Sequence, residues 1–115
     1  MSVLYSNNAY STLASAINSS VTSITVATGE GARFPAISTA GDYFYLTLAN
    51  ASVSEIVKVT ARSSDTMTIA RAQDGTTAQS FSVSDSVQLK VNKGMLDGIK
   101  SDTNDYATAM AIALG

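Results

Sequence analysis

The chain has 115 residues, 45% hydrophobic and 14% charged, with a net charge of −2, one proline and neither histidine nor cysteine. That length suits one domain, able to bury about 65% of the surface its unfolded chain exposes. The missing residue types exclude disulfides, thiolate nucleophiles, thiolate metal sites and imidazole chemistry, and seven Lys/Arg scattered singly among nine Asp/Glu offer no basic stripe to nucleic acid.

Taken in chain order, residues 1–10 read as an N-terminal arm, residues 11–91 as a β domain and residues 92–115 as a C-terminal helical segment. Residues 11–17 and 21–27 flank Asn18-Ser19-Ser20 and predict a hairpin with Ile24 and Val26 turned inward. Gly29 to Pro35 is a loop whose glycines permit positive φ and whose Phe34 plugs one end of the core. The run Asp42-Tyr43-Phe44-Tyr45-Leu46-Thr47-Leu48 alternates strictly. Phe44, Leu46 and Leu48 take one face, Tyr43, Tyr45 and Thr47 the other. After an Asn50-Ala51-Ser52 turn the chain returns with Val57 and Val59 inward, and a Ser63-Ser64-Asp65 turn leads to a third strand over residues 66–72. In that strand Met67, Ile69 and Arg71 share one parity. An Asp74-Gly75 turn follows, and Phe81, Val83, Val87, Leu89 and Val91 carry the β pattern onward. The fold class expected is mainly β, an antiparallel β-sandwich or barrel with a C-terminal helical segment. Its predicted core is Phe44, Leu46, Leu48, Val57, Val59, Ile69, Val87 and Leu89.

The period changes after Asn92. Met95, Leu96, Ile99, Thr103, Tyr106, Met110 and Leu114 follow steps of three and four, as on one helical face. Residues 107–114 are apolar nearly all round, which calls for a partner on more than one side. Tyr43 and Tyr45, two aromatic rings with polar handles on one strand face, suit packing or a subunit contact. The expected subunit-contact residues are therefore Tyr43, Tyr45, Tyr106, Met110, Ile112 and Leu114.

Sites for chemistry are weak throughout. Gly29-Glu30-Gly31 and Asp74-Gly75-Thr76-Thr77 lack the further glycine, lysine and helix of a phosphate loop. Asp97-Gly98 with Asp102 and Asp105 lacks the order of a calcium loop. Glu30, Asp42, Glu55, Asp65 and Asp74 read as solvated acids in turns or at strand ends, with no pair singled out for acid–base work. No catalytic residue, cofactor or metal is expected. No stretch approaches the roughly 18 apolar residues of a membrane span, and residues 1–6 lack a secretory signal, so a membrane is not an expected partner and assembly in a cytoplasm is.

Seventeen Ser, thirteen Thr and seventeen Ala make the surface small, neutral and easily desolvated. Free cytoplasmic domains average about 25% charged residues. Such a composition suits a chain packed against its own copies or a larger assembly, and it equally suits a plain Ser/Thr-rich β domain.

The order of segments resembles a small β module of tailed-bacteriophage virion proteins. The likeness runs through Asn7-Asn8-Ala9, Ser11-Thr12-Leu13-Ala14-Ser15-Ala16-Ile17, Ser20-Val21-Thr22-Ser23-Ile24-Thr25-Val26, Phe34-Pro35, Gly41-Asp42-Tyr43-Phe44 and Thr66-Met67-Thr68-Ile69. Its specific parts are Glu55-Ile56-Val57-Lys58-Val59-Thr60-Ala61-Arg62 and Arg71-Ala72-Gln73-Asp74-Gly75-Thr76-Thr77-Ala78. It covers roughly residues 5–91 and leaves the C-terminal segment outside. The resemblance implies a structural unit without enzymatic activity, located in the virion, with other virion proteins as partners and a homo-oligomer, trimer first. Two placements follow: a capsid decoration (cement) protein stabilising the shell, or a tail-fibre or tail adaptor component docking a longer fibre. A chain of 115 residues leaves no room for a fibre shaft, which favours decoration.

Overall fold

A computed structural model describes residues 3–4 and 9–90. The helical segment expected over 92–115 lies outside the described residues. Six antiparallel strands form one sheet: β1 (Tyr10–Thr12), β2 (Ser23–Thr25), β3 (Phe44–Ala49), β4 (Ser54–Ser63), β5 (Thr66–Gln73) and β6 (Ser86–Gln88), in the spatial order β1-β6-β3-β4-β5-β2. The sheet is curled into a half-barrel. Its two edges touch at the Leu13–Val26 bridge, where the Ala14 N–H donates to the Thr25 carbonyl (2.8 Å) and the Ala27 N–H to the Thr12 carbonyl (3.0 Å). A sheet of alternating apolar parity buries one face by curling over it, and meeting edges leave fewer unpaired backbone groups.

Strands β3, β4 and β5 make the expected meander, with Phe44 opposite Val59, Leu46 opposite Val57 and Val59 opposite Ile69. Phe44, Leu46, Leu48, Val57, Val59, Ile69 and Val87 are all buried, as their parity required. Leu89 is only half-buried, because β6 ends at Gln88 and Leu89 sits at the border of the core. Ile24, Val26 and Phe34 join the interior, and the Phe34 ring stacks on Phe44 with centroids 6.4 Å apart.

The hairpin expected from residues 11–17 and 21–27 is reduced to the single Leu13–Val26 bridge. The two segments pair instead with distant strands: Ser11 with Val87, Ile17 with Phe81 and Ile24 with Met67. The intervening turn does form, with the Asn18 carboxamide oxygen accepting the Ser20 and Val21 N–H groups. Its carbonyls at Asn18 and Val21, however, accept from the Arg71 guanidinium and not from a facing strand.

Candidate functional site

Strand parity assigns every charged residue of the sheet to a face. The strands contain Glu55, Lys58, Arg62 and Arg71. Glu55 and Arg71 turn inward, and Arg62 shares the side of its partner Met67, where it donates to the carbonyls of Pro35 (3.2 Å) and Ser64 (2.8 Å). Lys58 alone among the strands' charged residues lies on the outer, convex side. Around it the outer positions are Tyr45 and Thr47 on β3, Ile56 and Ala61 on β4, Thr66, Thr68 and Ala70 on β5, and Ser23 and Thr25 on β2. Cross-strand neighbours on this side are hydroxyl-bearing pairs such as Thr25 and Thr66, whose Oγ atoms lie 3.2 Å apart.

Tyr43 and Tyr45 are brought together on this convex side. Their rings meet edge-on at 5.6 Å, and the Lys58 Nζ lies 4.4 Å from the Tyr43 ring centroid. That geometry suits the ring quadrupoles and places the cation over a negative π-face. Val3, bridged in parallel to Tyr43 while the Leu4 N–H donates to the Tyr43 carbonyl (2.6 Å), packs with both tyrosines and Leu89 as a second small apolar cluster. The arm takes the edge of β3 that β6 leaves by ending at Gln88. Tyr106, Met110, Ile112 and Leu114 lie outside the described residues.

The carboxylates hold structure together. Glu55, read from sequence as a solvated acid, is fully buried. Its two oxygens accept from Arg71 Nε (2.9 Å) and Nη2 (2.8 Å), and from the backbone N–H groups of Ala72 and Gln79 (2.9 Å each). Arg71 spends its remaining donors on the carbonyls of Asn18, Val21 and Gln79. A β-bulge makes this possible: between the Lys58–Ala70 and Ile56–Gln73 pairs β5 has one residue more than β4, and Ala72 adopts φ 55°. Burial pushes the Glu55 carboxyl up, but the Arg71 and backbone hydrogen bonds and the Arg71 charge outweigh it and hold it below its ordinary value. Four donors fill the acceptor positions of this carboxylate. The sequence did carry a signal for it: Glu55 shares parity with Val57 and Val59, and Arg71 with Met67 and Ile69, so two opposite charges stood on inward positions of adjacent strands.

Asp65 likewise reaches beyond its own turn. Its carboxylate accepts from the N–H groups of Gly29 (3.0 Å) and Gly31 (2.9 Å), and these bonds hold its pKa below the ordinary value. They fasten the β4–β5 hairpin to the 3-10 turn Glu30–Arg33. Gly31 is required there, because a Cβ would run into the Ser64 carbonyl. Glu30 accepts from the buried Ser11 hydroxyl at 2.6 Å. Asp74 and Gly75 both have positive φ, and the Thr76 N–H closes the turn onto the Gln73 carbonyl (3.0 Å). Among the described residues, no three acidic side chains gather where they could hold a metal ion. None of the described helices is long and apolar enough to cross a membrane.

The two stretches most specific to the phage-module resemblance are thus physically joined. Glu55 binds Arg71 and Ala72, and Thr76 Oγ1 accepts the Ile56 N–H at 3.0 Å. Their spacing answers a demand of folding. No model of a known protein family matches the chain, and no curated protein matches it.

Proposed function

We propose that this chain is a non-enzymatic structural protein of a bacteriophage virion, a capsid decoration (cement) protein that stabilises the shell. The observation that carries the reading is the convex face of the sheet, broad and built from Ser, Thr, Ala and Tyr, with Lys58 as the one charged residue that its strands present. A surface of this kind loses little on desolvation, since it has few ions to strip of water, and it suits repeated contacts within a lattice. The motif order through Glu55–Arg62 and Arg71–Ala78 supports the same setting. Within that setting the chain is a homo-oligomer, a trimer, with Tyr43 and Tyr45 and the apolar positions Tyr106, Met110, Ile112 and Leu114 as subunit contacts.

Quantitative mass spectrometry of purified particles tests the placement. A decoration protein is found within a few-fold of the molar amount of the major capsid protein, and particles lacking it release DNA sooner on heating or chelation. Trace amounts that travel with detached tails would replace decoration by the tail adaptor reading. Absence from particles would end both.

A further inference from the structure

Strand register sets one row of side chains across the convex side of the sheet. Tyr10 on β1 stands opposite Gln88 on β6, and Gln88 opposite Thr47 on β3. Thr12 lies two residues along β1 from Tyr10 and shares its side. The alternate row, Ser11, Val87 and Leu48, is fully buried, so this one faces outward. Among the described residues Tyr10, 44% exposed, is the one aromatic side chain turned to solvent. Thr12, Thr47 and Gln88 are half-buried, and neither their side chains nor the Tyr10 hydroxyl is hydrogen-bonded to another described residue. The neighbouring Ser86 hydroxyl, by contrast, donates to the Ala49 carbonyl (3.1 Å). The row carries no charge, and the cations around it are engaged: Arg33 donates to the Tyr10 carbonyl (3.0 Å) and pairs with Glu30 (3.3 Å), while the Lys58 Nζ lies over the Tyr43 ring.

We propose that this row, Tyr10, Gln88 and Thr47 with Thr12 beside it, binds a neutral oligosaccharide. A pyranose ring has an apolar face of C–H groups and a rim of hydroxyls that both donate and accept. An exposed tyrosine supplies an apolar platform for the first. The Gln88 carboxamide, with two donors and an acceptor, and the two threonine hydroxyls answer the second. Neighbouring strands lie about 4.8 Å apart, so Tyr10 to Thr47 spans about 10 Å, the length of two linked sugar rings. An anionic sugar would meet no uncommitted cation in the row. A peptide strand is disfavoured because the β1 edge is taken, the Tyr10 carbonyl by Arg33 and the Thr12 carbonyl by the Ala27 N–H. The convex face is then divided, with the β1–β6–β3 flank taking sugar and the β5–β2 flank left to protein contacts. This inference does not rest on the virion reading.

Native affinity electrophoresis of the full-length chain tests this, in gels containing a soluble β-glucan, mannan, galactan or xylan, beside gels containing anionic alginate. At least one neutral polysaccharide should retard the protein, and its free disaccharide should relieve the retardation. Tyr10→Ala and Gln88→Ala, each checked for β structure by circular dichroism, should weaken binding several-fold, whereas Tyr10→Phe keeps most of it. Ser23→Ala and Thr68→Ala, on the other flank, should bind as the unaltered chain does. In the unaltered chain, NMR signals of the Gln88 carboxamide and the Tyr10 ring should move when the disaccharide is added. No retardation by any neutral polysaccharide, or retardation by alginate alone, would overturn the proposal. Undiminished binding by both Tyr10→Ala and Gln88→Ala, or NMR shifts confined to β2 and β5, would equally sink it.

Discussion

The two faces of the half-barrel are made by the same strands and differ at every alternate residue. On the concave side Phe44, Leu46, Leu48, Val57 and Val59 are fully buried, and Glu55 and Arg71, charges admitted among them, are bonded to one another, to the Ala72 N–H, and to backbone of two other segments, the Asn18–Val21 turn and Gln79. On the convex side Tyr45, Thr47, Lys58 and Thr68 are half-buried or exposed and mostly neutral. The inner face is specified by packing and by polar groups whose partners are fixed. The outer face has few such demands, so its composition is open to be set by what the protein meets. That it is nearly chargeless is therefore more informative about function than the identity of any core residue.

The largest expected effect is on the inner side. Arg71→Ala leaves a buried carboxylate and three backbone carbonyls short of donors, and should cost about 3–5 kcal/mol in urea or thermal unfolding. A loss no larger than that of an outer-face substitution would break the contrast between faces. Neighbouring residues of β3 sharpen it next. Leu46→Ala should cost about 2–5 kcal/mol by opening a cavity, whereas Thr47→Ala should stay within about 0.5 kcal/mol. Equal shifts in Tm for the two would contradict the register.

Acid should act through Glu55 on the inner face and through Asp65 in the β4–β5 turn. The Glu55 carboxyl is held below its ordinary 4.5 and that of Asp65 below its ordinary 3.8. A depressed folded-state pKa contributes stability that is complete above the unfolded-state value and is lost as pH falls through the folded one. Tm should then be nearly flat from pH 8 to about 5 and decline below it. In Glu55→Gln that acid decline should be shallower, though the variant starts from a lower Tm. The smallest effect on the isolated protein is expected at Thr68→Lys, within about 0.5 kcal/mol of unfolding free energy. The same change puts a charge in the Ser/Thr area of the convex face and should sharply reduce incorporation into particles. Normal incorporation would remove that area from the proposed contact surface.

Much of the fold could be read along the chain because its signals are local. Alternation over Phe44–Leu48 assigns faces whatever the rest of the molecule does, and Asn50 and Asn18 bind N–H groups two and three residues on, so their turns need no distant partner. The tyrosine pair was visible for the same reason, since residues two apart on a strand share a side. What sequence order alone left undecided were contacts between segments far apart in the chain. Residues 11–17 could pair with their neighbours or with strands some seventy positions away, and only closure of the sheet placed Ser11 against Val87. Glu55 looked like any acid at a strand end until the β5 bulge brought Arg71 and the Ala72 N–H to it, and Asp65 like any turn residue until curvature carried Gly29 and Gly31 within reach. Periodicity records which side of a strand is dry. It does not record which buried donor meets which buried acceptor, because that depends on the order and curl of the strands, and those are settled by the packing of the whole core.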